Sequence, residues 1–112
     1  MTNETKLLTR LRAVDEDAAR QTTDLLRATA AAVAAEQGHL RYDVFAVEGD
    51  PATLYVFEAW ASADDARRHA DLVLSNGAVD RVLPLLREPL DTVTLIPIVC
   101  HAATGEPGGR TA

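Results

Sequence analysis

The sequence has a single cysteine, few aromatic residues and no long apolar run. One cysteine, Cys100, cannot form an internal disulfide. No stretch approaches the ~18 apolar residues that are needed to cross a bilayer. The first ten residues, "MTNETKLLTR", also lack the basic-then-apolar order of a signal peptide. We therefore expect a cytoplasmic protein that does not contact membranes.

Positive charge is scarce as well. The chain has 11 lysines and arginines against 17 acidic residues, which gives a net charge of -6 and disfavours binding to nucleic acid. The sequence contains no Walker loop, dinucleotide glycine fingerprint, paired CxxC or HExxH. Cys100 and His101 are adjacent, but no further metal-ligating residues lie near them in sequence. The sequence thus predicts no cofactor, no metal site and no nucleic-acid partner.

Length and composition predict one globular domain. The 112 residues are 47% hydrophobic and 25% charged, a balance typical of a single folded unit. From Cys100 onward the residues are small, polar and rich in glycine, a composition that does not support a packed core. We predict a domain over residues 5–99 and a disordered tail over residues 100–112.

Hydrophobic periodicity and turn residues divide this domain into strands and helices. Gly49, Asp50 and Pro51 are strong turn formers, so the two strands around them should pair as a hairpin. Pro84 should bend or shorten the third helix, and Pro97 should put the last strand at a sheet edge. The pattern predicts strands over residues 6–14, 40–48, 53–61 and 90–99, and helices over residues 15–38, 62–75 and 79–86.

The order of these elements predicts an α+β fold. Strand, helix, two strands, two helices and a strand form a ferredoxin-like sandwich, an antiparallel sheet with helices on one face. The hairpin nevertheless has apolar residues on both faces, with Leu54 and Val56 on one and Tyr55 and Phe57 on the other. An uncovered apolar face usually binds a partner. We therefore expect a homodimer joined through the sheet.

The segment "YVFEAWASADDARRHAD" brings a glutamate, a tryptophan and a histidine together. Glu58 and Trp60 share one face of a strand, and His69 falls in the inward stripe of the following helix. Trp60 and His69 are expected to meet beneath the turn, either as the wall of a pocket or as ordinary core residues. For Glu58, an ion pair with Arg41 or Arg10 is the alternative to a catalytic role.

Three segments of the sequence resemble the antibiotic biosynthesis monooxygenase (ABM) domain family. They are "EQGHLRYDVF", "LYVFEAWASADDARRHADLVLSNGAVDRVL" and "LDTVTLIPI". The family has a "PGCLRYEL"-like strand, then E-x-W at the end of a hairpin, then a histidine nine or ten residues after the tryptophan. The residues that match these motifs are Gly38, Leu40, Arg41, Tyr42, Glu58, Trp60 and His69. The resemblance implies a dimeric α/β barrel.

The resemblance also implies a function. It indicates cofactor-independent oxidation of a small hydroxylated aromatic, such as an anthrone or quinol, by dioxygen in natural-product tailoring. Under this hypothesis, Trp60 is an aromatic wall and His69 is the base or proton relay. Such a site needs hydrogen bonds to a substrate anion, a proton acceptor and exclusion of water.

Five further residues are candidates for substrate binding. Tyr42, Asn76 and Arg81 are possible donors to a substrate anion, and their structural alternatives are hairpin core, helix cap and exposed helix residue. Val56 and Thr9 stand where anthrone-oxidising and haem-degrading members, respectively, have asparagine. Two other functions use the same pocket: a non-redox tailoring enzyme such as a cyclase or isomerase, and a module that binds a small ligand without turnover.

Overall fold

Four strands and three helices lie within residues 4–101, the part of the chain that the computed structural model describes. Residues 102–112 of the predicted tail lie outside this part. No helix within residues 4–101 is long and apolar enough to span a membrane. The elements are β1 (Thr5–Arg12), α1 (Glu16–Val33), β2 (His39–Val47), β3 (Asp50–Trp60), α2 (Ala63–Ser75), α3 (Ala78–Val82), a 3₁₀ turn (Leu83–Leu85) and β4 (Asp91–Leu95).

Helix α1 begins where the sequence predicted and ends earlier. Asp15 has an extended backbone, and its carboxylate accepts a hydrogen bond of 2.8 Å from the Ala18 amide, as an N-cap should. The helix ends at Val33, not at Gly38, because residues 34–38 already form turns. Gly38 is the end of these turns and has a φ of +82°, a conformation that favours glycine.

A reciprocal pair of hydrogen bonds fixes the start of α2 directly after β3. Ser62 Oγ accepts from the Asp65 amide at 3.1 Å and donates to Asp65 Oδ2 at 2.9 Å. Arg68 also donates to Asp65 Oδ1 at 2.8 Å. The hydrogen bonds from Arg68 and Ser62 hold the pKa of Asp65 below its usual range. Because the first turn of α2 is fixed, the direction in which each later side chain of this helix points is fixed as well.

The sheet is antiparallel, with strand order β2-β3-β1-β4 and helices on one face. This is the predicted α+β ferredoxin-like fold. Along the middle of the sheet, Val56 pairs with Thr9 on one side and with Val44 on the other, and Thr9 pairs with Thr92 of β4. The core between this face and the helices consists of Leu11, Leu26, Leu54, Val56, Val82 and Leu86.

The hairpin turn is tighter than predicted. Asp50 and Pro51 belong to β3, and Asp50 pairs with Val47, so that only residues 48–49 form the turn. Gly49, with a φ of +83°, supplies the required backbone conformation. Pro51 is tolerated in the strand because the pairing of β3 with β1 begins only at Thr53.

Proline shapes the last third of the domain. Pro84 converts the third helix into a 3₁₀ turn after Val82, as the sequence predicted. Leu83, the first residue of this turn, is 41% exposed, because a 3₁₀ helix has three residues per turn and an α-helix has 3.6. Strand β4 is at the sheet edge, as predicted, but ends at Leu95 and not at residue 99.

The approach of Gly38 to α2 offers a test of this architecture. A Cβ added at Gly38 would overlap the side chain of Asp65, whereas one added at Gly49 would meet nothing within 4 Å. Both glycines have φ values above +80°, so both substitutions to alanine carry the same backbone strain. Gly49→Ala is therefore a matched control that lacks the steric overlap.

We predict that Gly49→Ala lowers the free energy of unfolding by about 1 to 2 kcal/mol, the strain alone. Gly38→Ala should lower it by at least about 1 kcal/mol more, because its overlap with Asp65 is added. Urea unfolding followed by circular dichroism measures both values. Equal losses in the two variants would contradict the close packing of the Gly38 turn against α2.

Candidate active site

A cavity of about 270 Å³ lies between the helix face of the sheet and helices α2 and α3. Most of its lining is aliphatic, and the polar groups are few. Five residues that the sequence analysis singled out line it: Thr9, Tyr42, Val56, Glu58 and His69. A mostly apolar hollow with a few convergent polar groups is the usual form of a small-molecule site.

His69 is the central polar group of this cavity. Its position on α2 directs the imidazole inward, and the residue is only 5% exposed. The ring stacks on Trp60 with centroids 4.9 Å apart and planes 28° from parallel. On another side the ring of Tyr42 meets it edge-on at 5.9 Å. These two aromatic contacts restrict the imidazole to one plane.

Trp60 does not itself line the cavity. The residue is fully buried, lies behind His69, and is absent from the lining. Its indole Nε1 donates to Glu58 Oε1 at 2.9 Å. The structure therefore gives no geometric basis for Trp60 as a wall against substrate. Instead, Trp60 supports the two cavity residues His69 and Glu58.

Two carboxylates flank the imidazole of His69. Glu36 Oε1 lies 2.9 Å from Nδ1, within hydrogen-bond distance, and Glu58 Oε1 lies 3.9 Å from Nε2. No sequence pattern predicted that Glu36 belongs to this site. The sequence marks Glu36 only by its place two residues before Gly38, in the stretch that resembles the ABM family. Nothing in the sequence around it indicates a contact with His69, which is 33 residues away.

The arginine partners that were considered for Glu58 are engaged elsewhere. Arg41 pairs with Asp43 at 2.8 Å, and Arg10 lies 3.6 Å from Glu88. Glu58 instead points to the helix face, where its side chain is 14% exposed. A carboxylate this close to a buried imidazole makes Glu58 part of the candidate site.

Tyr42 supplies a neutral hydroxyl to the cavity. Burial raises the pKa of its phenol well above the ordinary value, and the negative charges of Glu58 and Glu36 raise it further. The phenol therefore keeps its proton at any physiological pH. It can donate a hydrogen bond to a ligand oxygen, as a site for an anionic intermediate requires.

The hydroxyls of two threonines on β1 and β4 are further polar groups of the cavity lining. Thr9 Oγ1 and Thr92 Oγ1 are 2.8 Å apart, and both residues line the cavity. Because one of these hydroxyls donates to the other, the second keeps a proton that is available to a ligand. Val56, between the strands of Thr9 and Tyr42, offers only apolar contact.

Asn76 and Arg81 lie outside the cavity lining. Asn76 is the C-cap of α2, and its Oδ1 accepts from the Ala78 amide at 2.9 Å. Arg81 is exposed on α3. The structure thus gives their predicted substrate-binding role no geometric basis, and the structural alternatives describe both residues.

The part of the chain that the structure describes contains no group of metal-ligating residues. Within residues 4–101, no group of three or more histidine, cysteine, aspartate or glutamate residues is placed to hold a metal ion. What the arrangement around His69 offers is proton transfer. It combines an imidazole, two carboxylates and a phenol at the edge of an apolar hollow.

Comparisons with known proteins agree with the fold. A family model described as antibiotic biosynthesis monooxygenase matches residues 6–75. Rv0793 from Mycobacterium tuberculosis superposes with a TM-score of 0.77 at 23% identity, over 89% of this chain and 100% of that one. SnoaB, a cofactor-independent oxygenase from Streptomyces nogalater, gives 0.73 at 14% identity, over 93% and 99%.

A further solved structure, from Methanosarcina mazei Go1 and described only as a conserved protein, gives a TM-score of 0.76 at 12% identity, over 84% of this chain and 92% of that one. No curated protein sequence matches significantly. At identities below 25%, the structural similarity shows the shared fold alone. Membership of the family rests on the match over residues 6–75.

The electrostatic link between Tyr42 and the carboxylates is testable. Because the charge of Glu58 raises the pKa of Tyr42, Glu58→Gln should lower that pKa. Titration of the tyrosine Cζ resonance by NMR measures it, and Tyr42→Phe assigns the signal, since the chain has only 2 tyrosines. Glu48→Gln removes one carboxylate from the exposed hairpin turn and should leave it unchanged. An equal response to both variants would contradict the described site.

Proposed function

The chain belongs to the antibiotic biosynthesis monooxygenase family, and we propose that it oxidises a small, uncharged, hydroxylated aromatic molecule with dioxygen. The observation that carries this proposal is the buried imidazole of His69 at the cavity. Its Nδ1 is engaged by Glu36, and its Nε2 is on the side of Glu58, which also lines the cavity. Histidine is the residue that most often serves as a general base.

In the proposed reaction, His69 Nε2 takes a proton from an activated CH₂ group or from the hydroxyl of its enol form. The resulting delocalised anion gives one electron to dioxygen, and the two radicals join in a C–O bond. The peroxide anion takes the proton back from His69 to give the hydroperoxide, which then loses water as its O–O bond breaks and its second C–H proton leaves. One oxygen atom ends in the new carbonyl and the other in water, so R₂CH₂ + O₂ gives R₂C=O + H₂O.

The polar groups of the cavity support this chemistry. The neutral phenol of Tyr42 and the free hydroxyl proton of the Thr9–Thr92 pair can donate to the oxygen on which negative charge develops. The apolar remainder of the lining excludes water from the reactive anion. SnoaB, described as a cofactor-independent oxygenase, supports oxidation that relies on the substrate's own electrons.

Charge at the site supports an uncharged substrate. Glu58 lines the cavity, and within residues 4–101 no lysine or arginine does. A carboxylate on the substrate would meet repulsion without a compensating cation. The volume of about 270 Å³ suits a small fused-ring molecule. A role in natural-product tailoring and a cytoplasmic location stay predictions from the sequence.

The test is oxygen consumption by the purified protein with a panel of anthrones and quinols. We expect turnover with an uncharged member, and His69→Ala should lower kcat by about 10²- to 10⁴-fold. His101→Ala removes an exposed imidazole outside the cavity and should leave turnover unchanged. Circular dichroism confirms that each variant is folded.

Other outcomes identify the alternative functions. Product formation under strict anaerobiosis would select a non-redox cyclase or isomerase that uses the same proton acceptor. Stabilisation of the fold by a panel member without any product would select a binding module. Oxidation by folded His69→Ala at the wild-type rate would overturn the assignment of the base.

We also propose that the outer face of the sheet joins two copies of the chain. Phe45, Val93 and Leu95, on β2 and β4, are 51%, 46% and 38% exposed. In the strand register, Val93 pairs with Leu8 and Leu8 with Phe57, so that apolar residues continue across β4, β1 and β3. On the other edge of this face, Phe45 pairs with Tyr55. Family members are expected to be dimeric barrels, and an apolar sheet face of this extent fits a second copy.

Static light scattering at micromolar concentration measures this assembly. We expect a dimer mass for the wild-type protein and a monomer mass for Val93→Glu, because the new charge would be buried in the interface. Leu72 on α2 has a similar exposure, 42% against 46%, so Leu72→Glu is the matched control and should remain dimeric. A monomeric wild-type protein would refute the proposal.

A further inference from the structure

From the contacts around the imidazole, we infer that Glu36 is the positioning residue for His69. Its carboxylate selects the tautomer with hydrogen on Nδ1 and so leaves the lone pair of Nε2 free for the cavity. The catalytic consequence rests on the proposed function, whereas the tautomer itself does not.

The distance between the side chains of Glu36 and His69 shows which nitrogen of the imidazole bears the proton. Glu36 Oε1 and His69 Nδ1 are 2.9 Å apart, an ordinary hydrogen-bond length. The side chains are 19% and 6% exposed, so that water competes little for this bond. An ionised carboxylate has no proton to donate and can only accept. Nδ1 must therefore be the donor, and in the neutral ring Nε2 is then the unprotonated nitrogen.

The surroundings of Nε2, on the other side of the imidazole, show that this nitrogen is available to a ligand. Glu58 Oε1 is 3.9 Å from Nε2, beyond hydrogen-bond distance. That oxygen already accepts from Trp60 Nε1 at 2.9 Å. Nε2 thus has no strong protein partner in this arrangement, and a ligand hydroxyl in the cavity can donate to it. Among residues 4–101, the titratable groups that contact the ring are Glu36, Glu58 and Tyr42.

The aromatic neighbours leave the tautomer undecided. Stacking on Trp60 fixes the plane of the imidazole, and the edge contact with Tyr42 limits its displacement. Neither contact distinguishes a proton on Nδ1 from a proton on Nε2. The choice therefore falls to the hydrogen bond from Glu36, in the way that an acidic residue orients the histidine of a catalytic triad.

The backbone holds Glu36 rigidly in place. Its amide donates to the Val33 carbonyl at 2.9 Å, and its carbonyl accepts from the His39 amide at 3.3 Å. Two residues later, the Gly38 carbonyl accepts from the Ala61 amide at 2.8 Å. The turn is therefore fastened to the start of α2, the helix that carries His69. The backbone position from which the Glu36 carboxylate reaches the ring is thus fixed relative to α2.

The same contact has a role during the reaction. When Nε2 accepts a proton from the substrate, the ring becomes a cation whose Nδ1–H already points to the Glu36 carboxylate. Loss of this carboxylate should affect the proton-transfer step more than substrate binding, because Glu36 does not line the cavity. We therefore expect kcat to fall by about 10²-fold, as for a misplaced catalytic group, with little change in KM.

The direct test reads the tautomer of His69 by long-range ¹⁵N–¹H NMR at a pH where the ring is neutral. The chain has 3 histidines, and His69→Gln assigns the relevant signals. In the wild-type protein we expect Nδ1 to be the protonated, pyrrole-type nitrogen and Nε2 the pyridine-type nitrogen. A wild-type protein with the proton on Nε2 would overturn the inference, with no variant needed.

Two substitutions of Glu36 separate its roles. Glu36→Leu removes the acceptor, so the proton should move to Nε2, the position favoured in a histidine side chain that is free in solution. Glu36→Gln keeps an amide that can either accept or donate, so a mixture of tautomers is expected. Glu48→Gln, in the exposed hairpin turn, is the control for loss of one negative charge and should match the wild type. Retention of the wild-type tautomer in folded Glu36→Leu would contradict the inference.

The activity measurement distinguishes this inference from the proposed function. If the wild-type protein oxidises no panel member, the proposed function fails, while the NMR result still decides the tautomer. If it does, Glu36→Gln should lower kcat and retain more activity than Glu36→Leu. Equal kcat values for the wild type and Glu36→Leu would refute the positioning role even if the tautomer changed.

Discussion

The stacking of His69 on Trp60 is the contact on which the candidate site depends. It joins the last residue of β3 to the second turn of α2, and the two rings are 4.9 Å apart. Since Trp60 is fully buried, it cannot move without opening the core. The imidazole is therefore held in one plane by packing alone, before any hydrogen bond is considered. Packing of this kind gives a side chain at a site a fixed orientation.

Around this stack, the protein concentrates acidic groups in an otherwise apolar place. Glu36 and Glu58 flank the imidazole, and both raise the pKa of Tyr42. The result is a site with an imidazole that is placed to accept a proton and a phenol that stays neutral. These properties suit the removal of a proton from an uncharged aromatic, after which dioxygen can take electrons from the anion. They do not suit recognition of a carboxylate or a phosphate.

The same sheet serves two surfaces of different character. The face with Thr9, Val56 and Glu58 packs under the helices and forms the cavity. The opposite face has Phe45 and Val93 half-exposed, because the helices of one chain cover only one side. Strand alternation thus separates the proposed chemistry from the proposed assembly, so that changes on one face need not disturb the other.

The sequence alone determined the order of the elements, the residues at which the helices begin and the inward direction of the His69 side chain, because all three depend on local interactions. The N-caps Asp15 and Ser62 bond within three residues, and strand alternation predicted that Leu54 and Val56 share one face of the hairpin, which is the face that packs under the helices. Only the tertiary structure decided that Glu36 reaches His69 and that Trp60 lies behind the ring. The contact of Glu36 depends on how the turn after α1 approaches α2 in space. The whole β2–β3 hairpin separates the two in sequence, and no periodicity of the sequence encodes their approach.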